Sequence, residues 1–509
     1  MVKVIHTFAL NGITGIPVVV ETDRFSSAEP LVSLIGLPDT AVKEALDRVR
    51  AAARSSQLTL KTGKVTINLA PADVRKEGSS FDLPILISLA DEEKSGFLDT
   101  DGKAFAGELS LTGELRPING ALSMALAARK AGFKAIYLPE QNAPEASAAE
   151  GIDVFPVKNV SQLLKALRNE EAIEKTVFSF DAFERRASVC ALDYCDVKGQ
   201  ETAKKALEIA AAGSHNVLMI GPPGSGKSML ASRIPSILPP ISLPESIETT
   251  QIHSVAGILS SDCSLVSARP FRSPHHNMSA AGMAGGGKSP KPGEISLAHN
   301  GVLFLDEFPE FDKSVTEVLR QPLEERRIHI TRVSGTVDYP ASFILVCAMN
   351  PCKCGWYGHP THPCTCTDSA RRNYVSKISG PLLDRIDIQV EVPSLDYSGV
   401  SATTPSEPSA AMRERVCAAR EFASQRFCDP AMANALMTPA QIRKYCVLDD
   451  GGSSLLKRAF ETLSLSARSY DRILKVARTV ADFDKSELIK KNHIALALQL
   501  RTLDKKYFG

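Results

Sequence analysis

The chain has 509 residues, room for roughly three domains of about 150 residues each. Its 44% hydrophobic and 23% charged residues are those of a globular protein, and a net charge of +1 excludes a polycation, so any nucleic-acid surface has to be a local patch. No apolar run approaches the roughly 18 residues of a membrane span and residues 1–10 lack a signal-peptide pattern; in the cytoplasmic setting these features imply, cysteines point to thiols or a metal site before disulfides.

Residues 1–168 read as an α+β domain. Residues 2–10 alternate polar and apolar side chains as a half-buried strand does, and 17–21 and 64–69 read as further strands. Val42, Ala45, Leu46 and Val49 recur at helical spacing within 41–54, with Asp39 or Thr40 as the cap. Residues 81–90 predict an apolar helix, and 109–115 turn at Gly113. The Ala-rich helix 121–131 is stopped by Gly132 before a strand over 134–138.

The run from Gly107-Glu108-Leu109 through Asn119-Gly120, continued by Ala128-Arg129-Lys130-Ala131-Gly132-Phe133, resembles the proteolytic domain of Lon and its relatives. Those proteases pair a Ser nucleophile with a Lys base. Ser80, in Glu77-Gly78-Ser79-Ser80, is the matching serine, but Ala121-Leu122-Ser123-Met124 stands where the lysine should follow the Asn119-Gly120 turn. A hydroxyl without a base is a poor nucleophile at neutral pH, so the expectation is a Lon-like fold without proteolysis. Residues 169–189, charged and weakly patterned, read as a linker.

Residues 190–395 carry the chemistry. The helix 201–212, ended by Gly213, and the apolar run Val217-Leu218-Met219-Ile220 lead into Gly221-Pro222-Pro223-Gly224-Ser225-Gly226-Lys227-Ser228. This is the phosphate-cradling pattern G-x-x-x-x-G-K-[ST]. Glycines let backbone N–H groups close on an anion, and the helix behind the loop adds favourable partial charge. Lys227 would reach the β- and γ-phosphates of ATP, and Ser228 would hold Mg²⁺. Gly301-Val302-Leu303-Phe304-Leu305-Asp306-Glu307 reads as a doubly buried strand whose terminal acids face a metal and a polar crevice. Asp306 would hold Mg²⁺ through its water shell, and Glu307 would polarise the attacking water. The strand 343–349 ends at Asn350, which can position that water.

Asn350 matches the sensor-1 position of AAA+ ATPases. Ser379-Gly380-Pro381-Leu382-Leu383-Asp384-Arg385-Ile386-Asp387 resembles the arginine-finger region of the magnesium-chelatase and MCM branch of that superfamily. Arg385 would then stabilise γ-phosphate charge at a neighbouring subunit's site, with a salt bridge to Asp384 or Asp387 as the alternative. Residues 396–509 read as a helical lid: a Ser/Thr/Pro-rich loop, then helices over 411–427, 453–463, 469–483 and 492–501, with starts at Thr438-Pro439 and Ser486-Glu487. Ser464-Leu465-Ser466-Ala467-Arg468-Ser469-Tyr470 resembles the sensor-2 segment of AAA+ lids. Arg468 would contact ATP phosphates, Arg472 is its rival, and Arg478 is expected to face solvent.

Arg269-Pro270-Phe271-Arg272-Ser273-Pro274-His275-His276 and Pro292-Gly293-Glu294-Ile295-Ser296-Leu297-Ala298-His299-Asn300-Gly301 narrow the match. With the Lon-like front, the motor and the lid in that order, nearly the whole chain resembles the bacterial magnesium-chelatase-like AAA+ ATPases of the ComM/YifB family. The resemblance implies an α/β P-loop motor behind an α+β Lon-like domain and ahead of a helical lid. It also implies a homo-oligomeric ring, a hexamer, that uses ATP for branch migration or helicase action on DNA in recombination or natural transformation. A chelatase-like remodeller, driving metal insertion by a partner protein, is the alternative.

Two motor insertions carry cations that DNA would need. Residues 285–293 contain Lys288 and Lys291, and 325–333 alternate as a hairpin strand bearing Arg326, Arg327 and Arg332, with Ser334-Gly335 as the turn. Comparable insertions line the pore in this branch, where backbone phosphate contacts are sequence-independent and salt-sensitive. Cys352-Lys353-Cys354 and Cys364-Thr365-Cys366 gather four thiols that suit structural Zn²⁺ pinning the loop after Asn350. His359 and His362 are substitute ligands, and two disulfides are the alternative.

Overall fold

The structure is a computed structural model that describes all residues except 1, 26–30, 62, 91–95, 188–191, 261–263, 288–289, 333–334, 395–405, 430–431, 464, 502 and 509. Two compact units are present: Met1–Arg185 with Ser242–Ser267, and Arg186–Ile241 with Ala268–Gly509. Residues 242–267 lie inside the stretch read from sequence as motor, yet they fold with the first unit.

The first unit is built on a seven-stranded mixed sheet. Its strands are β1 (Lys3–Asn11), β2 (Thr14–Phe25), β3 (Leu31–Ile35), β4 (Lys64–Ala70), β5 (Lys103–Phe105), β6 (Ala135–Pro139) and β7 (Asp153–Val157). The order is β3-β4-β2-β1-β5-β6-β7. β1 and β2 form a hairpin in register from Lys3↔Thr22 to Asn11↔Thr14, closed by a two-residue turn in which Gly12 takes φ +61°. β5, β6 and β7 run parallel to β1 and to one another, and β3, β5 and β7 are strands that period-two patterning did not reveal. The helix Thr40–Ser55 starts where Asp39 accepts a 2.8 Å hydrogen bond from the Val42 N–H, and it buries Val42, Ala45, Val49, Ala52 and Ala53 along one stripe.

Helix Asp82–Leu89 is buried on all sides, as its unbroken apolar sequence demands. Its one ionisable residue, Asp82, is fully buried and receives Arg48 Nε at 2.7 Å, Arg48 Nη2 at 2.9 Å and the Leu109 N–H at 3.1 Å. Burial pushes the Asp82 carboxyl up, and Arg48 and the backbone donor oppose it. The inserted helix Leu243–Ala256 carries a capping box at Ser242 and Glu245. It lies against the start of helix Ala121–Lys130: Ser254 Oγ accepts the Gly120 N–H at 2.9 Å, and Gln251 Nε2 donates to Ser123 Oγ at 3.1 Å and to Ile13 O at 3.2 Å. It thus covers the turn after which a Lon-type lysine would stand, and there Leu122 is fully buried.

The second unit holds a five-stranded parallel sheet. Its strands are β8 (Val217–Ile220), β9 (Phe271–Arg272), β10 (Val302–Leu305), β11 (Ile344–Met349) and β12 (Ile388–Glu391), in the order β9-β10-β11-β8-β12. β8, β10 and β11 are buried along their whole length, which is why they read as continuous apolar runs. The helices Ser409–Phe427, Pro439–Tyr445, Asp450–Leu463, Ala467–Phe483 and Lys491–Gln499 share one hydrophobic core with the sheet and with helix Glu201–Gly213. Residues 396–509, read from sequence as a lid domain, therefore lack a core of their own among the described residues.

Two local expectations are corrected. Arg478 does not face solvent: it is fully buried, donating to Asp482 Oδ1 at 3.1 Å, to Glu487 O at 2.6 Å and to Ser486 O. The carbonyls beyond a helix end need donors, and this guanidinium supplies them. For the same reason Ser486-Glu487 starts no helix; the last long helix begins at Lys491. The linker read over 169–189 contains the helix Phe180–Ala187.

Removing Arg48 strands a carboxylate in the first core, so Arg48→Ala is expected to cost about 3–5 kcal/mol in chemical denaturation. A loss below about 1 kcal/mol would contradict the pairing.

Candidate functional site

In the parallel sheet of the second unit, the carboxyl ends of β8, β10 and β11 lie side by side, and each releases one piece of a polar crevice. From β8 comes the loop 221–226. Gly221 N donates to Met349 O at 3.2 Å, and a Cβ on Gly221 would stand 2.1 Å from Val392 O, so no side chain fits there. Gly224 and Gly226 take φ of +74° and +88°, which turns the chain into helix Lys227–Ser232. Gln200 Nε2 pins the loop by donating to Ser225 O at 3.2 Å and to Pro393 O at 2.7 Å. No sequence pattern marks that glutamine.

Lys227 is turned onto its own loop: Nζ donates to Gly221 O at 2.8 Å, to Pro222 O at 2.9 Å and to Asn350 Oδ1 at 3.2 Å. Asn350 leaves β11, so the lysine spans two strand ends. Burial pushes the Lys227 ammonium down to about 8. From β10 comes Asp306, whose Oδ2 accepts Ser228 Oγ at 2.7 Å. A hydroxyl and a carboxylate this close form the hard-oxygen donor pair that Mg²⁺ takes, so the residues present fit that ion. Glu307 follows with φ +51°, a left-handed conformation rare for a side-chain-bearing residue. Its backbone N–H donates to Asp306 Oδ1 at 2.9 Å, and its carboxylate lies 3.3 Å from His276 Nδ1.

The arginines read from sequence are not at this end of the sheet. Asn216, the residue before β8, receives Arg385 at its start: Asn216 Nδ2 donates to Arg385 O at 2.9 Å. β8 itself spans about 13 Å at about 3.3 Å per residue, so Arg385 sits about a strand length from the phosphate loop. It lines a cavity of about 480 Å³ with Arg326, Arg468, Arg472, Lys475, Glu324 and Asp387. Arg385 pairs with Glu324, not with Asp384 or Asp387, and donates to Pro381 O at 2.6 Å, while its Nε is buried with no partner. Arg472 Nη1 donates to Asp387 Oδ1 at 2.8 Å; Arg468 is exposed, 4.0 Å from Asp384. Burial works against the Asp387 carboxylate, and Arg472, His215 and Lys475 overcome it, holding it well below the usual carboxylate range.

Of the expected DNA-contacting residues, Lys288 and the side chain of Arg332 lie outside the described residues. Lys291 and Arg327 are exposed. Arg326 does not project outward: with φ +56° it turns into the cavity and donates to Phe343 O at 2.9 Å. The strands Arg327–Arg332 and Gly335–Pro340 form an antiparallel hairpin with Ile328 and Ile330 buried beneath Arg327 and His329. Tyr339 Oη donates to Pro290 O at 2.8 Å, so the hairpin rests on the other basic insertion, itself closed by the ribbon Gly285–Gly286 against Lys291–Pro292.

The four cysteines converge as a metal site requires, their Sγ atoms all within 4.8 Å of one another. Cys352 and Cys354 are 3.3 Å apart, and Cys364 lies 3.7 and 3.6 Å from them. Burial pushes Cys352 up to about 12. Desolvation also works against Cys354, but N–H groups of Trp356 and Thr365 and its thiol neighbours hold it down at about 5. His359 and His362 are not in the group: His359 Nε2 meets Ser394 Oγ at 2.8 Å, and its Nδ1 accepts the His362 N–H at 3.1 Å. The thiol-bearing turn backs directly onto the phosphate loop, where a Cβ on Gly355 would come within 2.5 Å of Pro223 Cδ.

A triphosphate needs Lys227 charged, and the free site holds that charge only below pH about 8. Nucleotide affinity is therefore expected to fall above pH 8 by about tenfold per pH unit, as measured with a fluorescent nucleotide between pH 7 and 9.5. A flat profile would contradict the burial of Lys227.

Comparison with known proteins gives the family. The family described as "Magnesium chelatase, subunit ChlI" matches residues 193–400, "Subunit ChlI of Mg-chelatase" matches 20–142, and "Magnesium chelatase, subunit ChlI C-terminal" matches 406–501. The protein YifB of Escherichia coli is 42% identical over 506 residues, covering 99% of this chain and 97% of the relative. Competence protein ComM of Haemophilus influenzae is 40% identical over 505 residues, with 98% and 97% covered. Lon protease of Porphyromonas gingivalis is 27% identical over 191 residues, 35% of this chain and 22% of that protein. The chain belongs to the YifB/ComM family of magnesium-chelatase-like AAA+ proteins.

Proposed function

We propose that the chain is the subunit of an ATP-driven ring, a hexamer, that moves branched or single-stranded DNA without regard to sequence, as branch migration or helicase action in recombination or natural transformation. The AAA+ family supports ATP and Mg²⁺ as its fuel. In this reading the loop Gly221–Gly226 with Lys227 holds the triphosphate, Ser228 and Asp306 hold Mg²⁺, Asn350 orients the lytic water and Glu307 takes its proton. Ser228 and Asp306 would hold the ion, which would supply charge neutralisation at the phosphates.

The observation that carries the assembly is the separation of Arg385 from the phosphate loop by the length of a parallel sheet. With Arg468 and Arg472 beside it, Arg385 suits the γ-phosphate of a second copy rather than its own, and its unpartnered Nε is a donor still to be satisfied. This revises the lid reading: Arg468, or Arg472, would contact nucleotide in trans. The DNA assignment is supported by the paired basic insertions bearing Lys291 and Arg327, and by the competence role named for the relative from Haemophilus influenzae. Four Sγ atoms within 4.8 Å of one another support structural Zn²⁺ at Cys352, Cys354, Cys364 and Cys366. The first unit supports a Lon-like fold without proteolysis, since Leu122 and Ser123 occupy the place of the lysine beyond Ser80.

Two measurements test this. Duplex junctions should stimulate ATP hydrolysis, steeply less as salt rises, and Lys291→Glu with Arg327→Glu should abolish the stimulation while leaving basal hydrolysis within about twofold. Hydrolysis indifferent to DNA at low salt would favour the chelatase-like remodeller. Metal analysis of protein purified without added zinc should give about one zinc per chain, lost in the Cys352→Ser, Cys354→Ser double variant; metal-free wild type with free thiols would overturn the zinc assignment.

A further inference from the structure

Residues 273–276 lie between strand β9 and the basic insertion, and the function above uses none of them. His276 is the exception in its surroundings. Its Nδ1 stands 3.3 Å from Glu307 Oε2. A carboxylate accepts and an imidazole N–H donates, so the two groups are chemically matched at this distance. The ring is itself held: it lies against His275 with centroids 4.2 Å apart and planes tilted by 34°, and meets the edge of Phe311 at 6.4 Å, with planes 79° apart. His275 is fixed in turn, since its Nδ1 accepts the Asn277 N–H at 3.3 Å. Phe311 is buried behind Glu307, four residues along the same chain.

Glu307 needs such a support. Its side chain is 58% exposed, and an exposed glutamate loses rotamer freedom when fixed. Its backbone is held in the left-handed region, φ +51°, which aims the side chain away from the direction β10 would give it. The described ion pairs and hydrogen bonds give the carboxylate one partner, His276.

We infer that His276 is a positioning residue for ATP hydrolysis: its imidazole N–H orients the carboxylate of Glu307 toward the attacking water. The inference rests on Glu307 being the base. No bond to His276 forms or breaks in the reaction; the water proton goes to Glu307. Contacts that position a catalytic base often tighten once substrate is bound, and 3.3 Å leaves room for that. Misplacing a reacting group by about 1 Å costs about a hundredfold, which sets the scale of the effect.

The test is steady-state and single-turnover ATP hydrolysis by the full chain, alongside nucleotide affinity. His276→Ala should lower kcat about ten- to hundredfold with KM and nucleotide affinity within about twofold. His276→Asn, whose amide still donates, should recover most of the loss and also controls for misfolding. In a Glu307→Gln background, His276→Ala should cost nothing further, because the two act as one unit. Wild-type kcat in His276→Ala, an equal loss in His276→Asn, a parallel loss of nucleotide affinity, or an additive loss with Glu307→Gln would each overturn the role of His276. A Glu307→Gln variant that hydrolyses at the wild-type rate is a separate failure, since it removes Glu307 as the base whatever His276 does.

Discussion

A parallel sheet has two unlike ends, and the chemistry of this chain follows from that constraint. All strand carboxyl ends of the five-stranded sheet point one way, and the order β9-β10-β11-β8-β12 sets the phosphate loop, Asn350 and Asp306 on adjacent strand ends. Lys227 bridges two of those ends and the Ser228–Asp306 hydrogen bond bridges to the third. The amino ends gather what is left: Asn216 before β8, and Arg385 and Asp387 before β12.

Polar burial in this unit has a consistent logic. Asp387 is tied by Arg472 and by His215 at 3.2 Å, and His215 reaches Thr479 at 2.8 Å, so the helix Ala467–Phe483 is locked to the start of β12 by hydrogen bonds as well as by packing. Asp482, on the same helix, is met by Arg478, by Arg426 and by Asn434 Nδ2 at 2.7 Å. Each buried carboxylate thus has several donors, which is the condition for leaving it charged in a low dielectric. Arg385, by contrast, keeps a buried Nε that is left unpaired. A half-satisfied guanidinium beside a cavity of about 480 Å³ is poised for an anion.

Much of the site is legible in the sequence because its motifs are local. The phosphate loop, the acid pair after an apolar strand and the two C-x-C pairs each fit within about a dozen residues, so backbone geometry alone brings their groups together. The rest depends on tertiary placement. Gln200 and His276 act on residues 25 and 31 positions away, across strands whose order no periodicity encodes. Arg326 sits next to Arg327 in sequence but turns inward at a left-handed backbone position. Arg478 lies on an amphipathic helix, where an arginine is expected outside, and is drawn in by carbonyls beyond the helix end. The excursion 242–267 is well capped, as a motor helix would be, and contacts such as those of Gln251 and Ser254 assign it to the first unit.

The decisive question is whether hydrolysis is shared between copies. Arg385→Ala subunits keep an intact phosphate loop, and Lys227→Ala subunits keep an intact arginine cluster; each alone is expected to be inactive. Mixed in equal amounts, they should recover a measurable fraction of wild-type ATP hydrolysis, because some interfaces combine the intact loop of one subunit with the intact arginines of the next. Nucleotide binding by Arg385→Ala together with no activity at any mixing ratio would contradict the account and place Arg385 in the structure of its own subunit.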